Sequence, residues 1–216
     1  HRHSSAASDV YKRQVLVRST EDRNPQAVPG GKGLVFRSTR GQIEYLDLES
    51  MESRVLFEHW DSWIDFDVSP DGEWLAYAQH DLDFNSDIFL MRLDGAQAPI
   101  NITRHPDNDE HPRFSADGRL LVFTSERKAE AYDIMVVALD AEYDGLLDAD
   151  QETYHEEAKK AAADRDHQEA TPNVWSWSLD DAWLRLRRLT TLEGDETRPW
   201  MTPGGEAVVF QGSGSN

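Results

Sequence analysis

The sequence predicts an all-β fold, and three observations carry that prediction. A short turn motif recurs four times, as Val28-Pro29-Gly30-Gly31, Ser69-Pro70-Asp71-Gly72, Ser115-Ala116-Asp117-Gly118 and Thr202-Pro203-Gly204-Gly205. Five residues beyond each final glycine stands an aromatic (Phe36, Tyr77, Phe123, Phe210), and six residues before it stand Pro25, Phe66, Pro112 and Pro199. The final glycines Gly31, Gly72, Gly118 and Gly205 lie 41, 46 and 87 residues apart, the last gap close to twice the others. A period of roughly 40–45 residues marks propeller blades, four-stranded units that bury their faces only against neighbours. The expected architecture is therefore a partial β-propeller of four-stranded antiparallel blades, about three and a half of them, with one helical insertion.

Taken in order, residues 1–14 read as a disordered, non-native leader. They lack an initiator Met and an apolar core, so they are no signal peptide, and they resemble a translated sequencing adapter. Residues 15–216 read as an incomplete propeller, with blades at about 24–58, 64–103 and 110–190 and a partial blade at 196–216. Trp74–Ala78 and Leu120–Thr124 are β-rich runs directly after a turn glycine, as hairpin strands should be. The next runs, beginning at Asp87 and Asp133, both start 15 residues after their turn glycine, so two blades share one register. The matching run of the first blade begins at Gln42, only 11 residues after Gly31, which implies a shorter hairpin loop. Outer strands follow at Arg54–Phe57 and Ile100–Thr103, more polar than the inner runs, as radial packing requires.

The 87-residue gap implies an insertion at about 141–182. Within it Thr153–Ala163 reads as a solvated surface helix, with Thr153 and Glu156 as a capping box and Glu156 and Lys160 as a favourable pair. The alternating segment Trp183–Thr190 is placed to complete the third blade. A degenerate extra blade across 141–190 is the alternative.

Composition narrows the function classes. Seven Trp, eight Phe and 38% hydrophobic residues are enough for a real core. A formal charge of −19 repels phosphate backbones and anionic lipid, which argues against nucleic-acid and membrane-surface partners. No apolar run is long enough to span a bilayer. The absence of Cys removes thiol nucleophiles and cysteine metal sites. Compartment is not legible here.

The run from Arg104 to Arg127, with His111-Pro112-Arg113-Phe114-Ser115-Ala116-Asp117-Gly118 at its centre, resembles the PD40 (WD40-like) repeat. Phe66-Asp67-Val68-Ser69-Pro70-Asp71-Gly72 is similar, with Phe66 in the proline place. That repeat occurs in TolB and in the N-terminal propeller of tricorn-type proteases. An acidic, helix-containing insertion ahead of an outer strand ending Arg188-Leu189-Thr190 is more similar to bacterial tricorn homologues than to TolB. The resemblance implies a non-catalytic propeller module that gates or docks substrate for a serine peptidase carried elsewhere in a parent chain. A TolB-like periplasmic protein-binding scaffold and the gating propeller of a prolyl-oligopeptidase-type hydrolase stay open. Closing the ring would need further parent sequence.

Candidate chemistry is sparse. Asp81-Leu82-Asp83-Phe84-Asn85-Ser86-Asp87 begins like a calcium loop, but Ser86 and Arg92 stand where glycine and a bidentate Glu are needed. His155-Glu156-Glu157-Ala158-Lys159 lacks the second His of a zinc-protease helix. Gly212-Ser213-Gly214-Ser215-Asn216 is not a nucleophile elbow. No catalytic, metal or cofactor residue is assigned. Asp109, Glu110, Asp195 and Glu196 precede Pro112 and Pro199 in successive repeats. Such acids would ring one face of a propeller and attract a basic protein or peptide; in most proteins acids so placed serve loop backbone amides. Trp175-Ser176-Trp177 reads either as a docking patch or as packing of the insertion onto its blade.

Overall fold

The Ser/Thr-x-x-Gly motif builds one hairpin again and again. In the second copy the Gly72 N–H donates to the Ser69 carbonyl at 2.9 Å, the Ser69 hydroxyl donates to Asp71, and the Trp74 N–H donates to Ser69 Oγ at 2.9 Å. The third copy repeats this with Gly118 to Ser115, Ser115 to Asp117 and Leu120 to Ser115 Oγ. In the fourth, Thr202 does the same for Gly205 and Ala207. Gly72 and Gly118 take φ of 73° and 80°, the left-handed position that closes a four-residue hairpin loop and that glycine adopts without strain.

The computed structural model describes residues 22–38, 41–61, 63–128, 131–146, 148–163 and 176–213. The leader expected at 1–14 and the residue Trp175 lie outside them. Blade 1 holds β1 (Arg23–Val28), β2 (Gly33–Arg37), β3 (Gln42–Asp47) and β4 (Ser53–Glu58). Blade 2 holds β5 (Phe66–Val68), β6 (Trp74–His80), β7 (Ser86–Arg92) and β8 (Ile100–Asn101). Blade 3 holds β9 (Asp109–Phe114), β10 (Leu120–Lys128), β11 (Ala131–Ala138) and β12 (Leu186–Arg188). A half blade follows, β13 (Asp195–Met201) with β14 (Val208–Ser213). Each sheet is antiparallel and pairs its strands in sequence order. The fold is three and a half propeller blades.

Inner strands pin each blade to the next. Gln26 on β1 donates from Nε2 to the Phe66 carbonyl at 2.8 Å and accepts the Val68 N–H at 3.2 Å. Asp67, at the equivalent place in blade 2, accepts the Phe114 N–H at 2.8 Å. Arg113, its counterpart in blade 3, donates to the Phe66 carbonyl at 3.2 Å and lies over the Trp200 ring at 5.0 Å. Outside this polar line one apolar layer joins blades 1 and 2, among them Val35, Ile43, Leu75 and Tyr77. A second joins blades 2 and 3, among them Ala76, Ile88, Leu90, Leu121 and Phe123.

The repeated prolines have a structural consequence. Asn24, His111 and Arg198, each directly before a proline, take φ of 50°, 55° and 53°, and the ladder slips at each of them. Proline offers no N–H to the ladder, so a bulge is the arrangement that accommodates it within a strand. Blade 2 carries Phe66 in that place and pairs directly, Phe66 opposite Tyr77.

The insertion leaves β11 at Asp140, whose carboxylate caps the short helix α1 (Ala141–Asp144). The long helix α2 (Asp148–Ala163) follows. It begins five residues ahead of Thr153, so the expected capping box does not form. Thr153 instead donates its hydroxyl to the Ala149 carbonyl within the helix, the back-bond a mid-helix threonine makes. Nor is α2 simply a solvated helix. Tyr154 packs edge-on against Tyr143, and His155 Nδ1 lies 2.8 Å from the Gly204 carbonyl of the half blade. The start of the expected strand Trp183–Thr190 is taken up by a 3₁₀ turn, Ala182–Arg185, and Leu186–Arg188 pairs with β11, extended by the Leu189 N–H donating to the Ile134 carbonyl at 2.8 Å. Arg185 holds that turn, donating from Nε to the Ala138 carbonyl at 2.9 Å.

Candidate functional site

Strand order fixes which residues share an end of the propeller. First strands run from the blade-to-blade connections toward the Ser/Thr-x-x-Gly turns, and second strands run back. The segment between β4 and β5, the β6–β7 hairpin and the starts of β9 and β13 therefore all lie at one end. The insertion and the glycine turns lie at the other.

Asp109, Glu110, Asp195 and Glu196 all come to the first end, but not to equal exposure. The bulge before Pro112 and Pro199 shifts the inward–outward alternation by one residue. Asp109 and Glu196, equivalent positions, are thereby turned inward and are 0% and 1% exposed. Arg127 donates to Asp109 at 2.8 Å. Burial raises the Asp109 carboxyl, against the pull of Arg127, Ser125 and Thr103. Glu110 and Asp195 are left part-exposed. Asp195 also accepts the Tyr132 N–H at 3.2 Å, bridging blade 3 and the half blade. Glu110 is raised chiefly by burial; the nearby carboxylates of Asp65 and Glu126 push the same way, and His111 and His80 oppose them.

Beside these acids lies a feature the sequence reading passed over. Leu82, Trp63, Phe84 and Trp60 are 88%, 76%, 69% and 47% exposed. Trp60 meets Phe84 edge-on at 5.4 Å and leans on His80 at 6.1 Å and His59 at 5.2 Å. His80 Nδ1 lies 2.6 Å from Asp61 Oδ2, while Asp61 Oδ1 accepts the Trp63 N–H at 3.0 Å. The Arg37 guanidinium sits 4.7 Å over the Trp63 ring. In the hairpin, Asp81 Oδ1 accepts the N–H groups of Asp83 and Asn85 at 2.8 and 3.0 Å, which turns the would-be calcium loop into a self-capped turn. The signal was available: His59-Trp60-Asp61-Ser62-Trp63 puts two Trp between strands, where no core claims them.

At the opposite end Arg119 is fully buried. It pairs with Asp117, donates to the Gly204 carbonyl at 2.9 Å and meets His155 Nδ1 at 2.7 Å. Its guanidinium also lies 5.0 Å over the Tyr143 ring. This cluster clamps α2 onto two adjacent glycine turns. Trp177 stacks on Phe114 and leans on Trp74, while the Ser176 N–H donates to Asp140 at 2.9 Å. That part of the Trp-Ser-Trp segment packs the insertion onto its blade.

Comparison with known proteins agrees with this architecture. No family model matches the chain. A tricorn protease homolog of Saccharolobus solfataricus is 26% identical over 110 residues, half of this chain and 10% of that protein. The crystal structure of tricorn protease superposes with a TM-score of 0.58 at 20% identity, over 82% of this chain and 18% of that one. TolB of Acinetobacter baumannii superposes equally well, TM-score 0.58 at 19% identity, over 90% of this chain and 39% of that one. The fold is a TolB/tricorn-type β-propeller. The chain spans well under half the length of each of these relatives. Among the described residues no helix is long and apolar enough to cross a membrane.

Proposed function

We propose that this propeller is a non-catalytic docking module for protein or peptide segments, serving to gate or present substrate in a tricorn-like serine protease. The observation that carries the reading is the gathering of Asp109, Glu110, Asp195 and Glu196 at one end of successive blades, with Glu110 and Asp195 reaching the surface. Asp109 is offset by Arg127, so the field at that surface comes chiefly from the two part-exposed acids, which meet the ligand. A partner with basic side chains fits such a field, and its attraction is screened over about 8–10 Å at ordinary salt.

Titration of a labelled Lys/Arg-rich peptide at low and high salt tests this. Binding should be weak and should fall as salt rises. Equal binding at both salts, or none at low salt, removes the electrostatic docking idea. A TolB-like scaffold is the second reading, favoured by the equal superposition on TolB over more of this chain. Reading the parent gene in both directions separates the two: a peptidase region downstream favours the first, a stop after the last blade the second.

A further inference from the structure

We propose that the end carrying these acids holds a composite site, made of an aromatic shelf and a carboxylate strip, for a peptide in which a lysine or arginine neighbours a bulky apolar residue. The inference deepens the docking reading above and rests on it. Four large apolar side chains, Trp60, Trp63, Leu82 and Phe84, stand in water on two neighbouring loops. A soluble surface rarely gathers that much apolar area without a use for it. Elsewhere among the described residues, exposed apolar side chains such as Trp200 and Val209 lie on the flat of the half blade. Leu189 and Leu192 are also exposed at the acid end, on the connection into β13, but this group alone among the described residues brings aromatic rings there.

The shelf is also ordered before any ligand arrives. Trp60 meets three neighbouring rings, and at Trp63 the backbone N–H is held by Asp61 while the ring lies against the Arg37 guanidinium. Rigid aromatic surface loses little entropy on binding, which is why such rings serve as anchors. The contact of Arg37 with Trp63 shows that a ring here already takes a guanidinium on one face.

Charge decides what sits beside the apolar group. The hairpin that carries the shelf meets the strip directly: His80 leans on Trp60, and Ser86 at the other side of the hairpin donates its hydroxyl to the Asp109 carbonyl at 3.0 Å. Asp65 lies 3.3 Å from His111 Nε2 and is itself part-exposed. Asp81 and Asp83 are exposed on the hairpin that carries Leu82 and Phe84. An acidic or neutral apolar ligand would meet this carboxylate field with repulsion or without gain. A basic residue next to an apolar one satisfies both halves.

The test uses the full chain and two fluorescein-labelled peptides in a Gly/Ser frame, one with a Lys-Trp-Lys core and one with Lys-Ser-Lys, followed by anisotropy. The first should bind about tenfold more tightly, as burial of one apolar side chain allows. In a Trp63→Ser/Phe84→Asn variant that preference should vanish while salt sensitivity stays. Both side chains are exposed, so an unchanged thermal melt will show the variant folded; a Leu82→Ser variant gives a second, milder reading in the same direction. Equal, salt-sensitive binding of both peptides, or a preference that survives in the variants, overturns the composite site and leaves the acidic docking face standing. No binding of either peptide at low salt overturns both.

Discussion

Blades 2 and 3 meet across a layer in which Ala76, Ile88 and Leu90 face Leu121, Phe123 and Val137, all of them fully buried. The seam between blade 3 and the half blade is made of similar residues but is not closed. There Leu120, Val136, Tyr143, His155, Met201 and Phe210 line a cavity of about 610 Å³. Phe123 and Phe210 occupy the same repeat position, yet Phe123 is 0% exposed and Phe210 only half-buried. Burial in this architecture is conferred by the neighbouring sheet, not by the strand that carries the side chain. Helix α2 covers part of the open seam through Tyr154, but one helix does not replace two strands.

The largest expected effect tests that contrast directly. Phe123→Ala should cost about 3–5 kcal/mol, the range for a large-to-small change in a tight core. Phe210→Ala should cost less than about 1.5 kcal/mol, because part of its ring already faces open space. Chemical denaturation of the two variants checks the difference; equal losses would mean that the seam is closed in solution.

Next in size is the clamp at the glycine turns. Arg119→Met removes the guanidinium that ties Asp117, His155 and the Gly204 carbonyl together. Breaking a buried ion pair usually costs about 3–5 kcal/mol, and about 2–3 is expected here because Asp117 keeps some access to water. The local sign is sharper than the global one. Trypsin should cut faster at Lys159 and Lys160 once α2 is no longer held. Unchanged cleavage would show that Tyr143 and Tyr154 alone hold the helix.

A third effect concerns the polar line along the inner strands. Burial pushes the Asp67 carboxyl up to about 6, against the pull of Arg113 and of the Phe114 and Val68 amides. In the unfolded chain it titrates near its ordinary 3.8. Between those values the native state binds the extra proton, so this group's contribution to stability falls as pH rises through the window and is level above it. On the order of 1–3 kcal/mol is involved. Asp67→Asn should remove that slope while keeping an acceptor for the Phe114 N–H. A slope unchanged in the variant would assign it to Asp109 and Glu110, whose raised carboxyls have the same sign.

Much of this was legible in the sequence, and the reasons are specific. The turn motif encodes its own hairpin, since Ser69, Asp71 and Gly72 each supply one local bond or angle, and local chemistry repeats wherever the residues do. The strands that flank it followed for the same reason. What escaped was set by distant contacts. The docking of α2 depends on Gly204 and Arg119, which meet His155 from far off in the chain. The inward turn of Asp109 and Glu196 depends on a one-residue bulge that a proline merely permits. The aromatic shelf escaped because it assembles from two loops, and neither alone shows a pattern.

The smallest effect on stability is expected on the outward flat of the half blade, and it sharpens the comparison from the other side. Trp200 and Val209 are paired across β13 and β14 and are 60% and 65% exposed. Arg113 lies over the Trp200 ring, but no further sheet covers this flat among the described residues, so the pair contributes little to folding and Val209→Thr should stay within about 0.5 kcal/mol, as surface changes do. They do present contiguous apolar surface beside the β14 edge, the kind of surface that recruits other chains. Concentration-dependent association should therefore be measurable by sedimentation, and Val209→Thr combined with Trp200→Ser should weaken it without lowering the melting temperature of the chain. If instead the double variant melts well below the parent, that flat is buried in solution, and the contrast between a closed and an open seam must be redrawn with the half blade on the closed side.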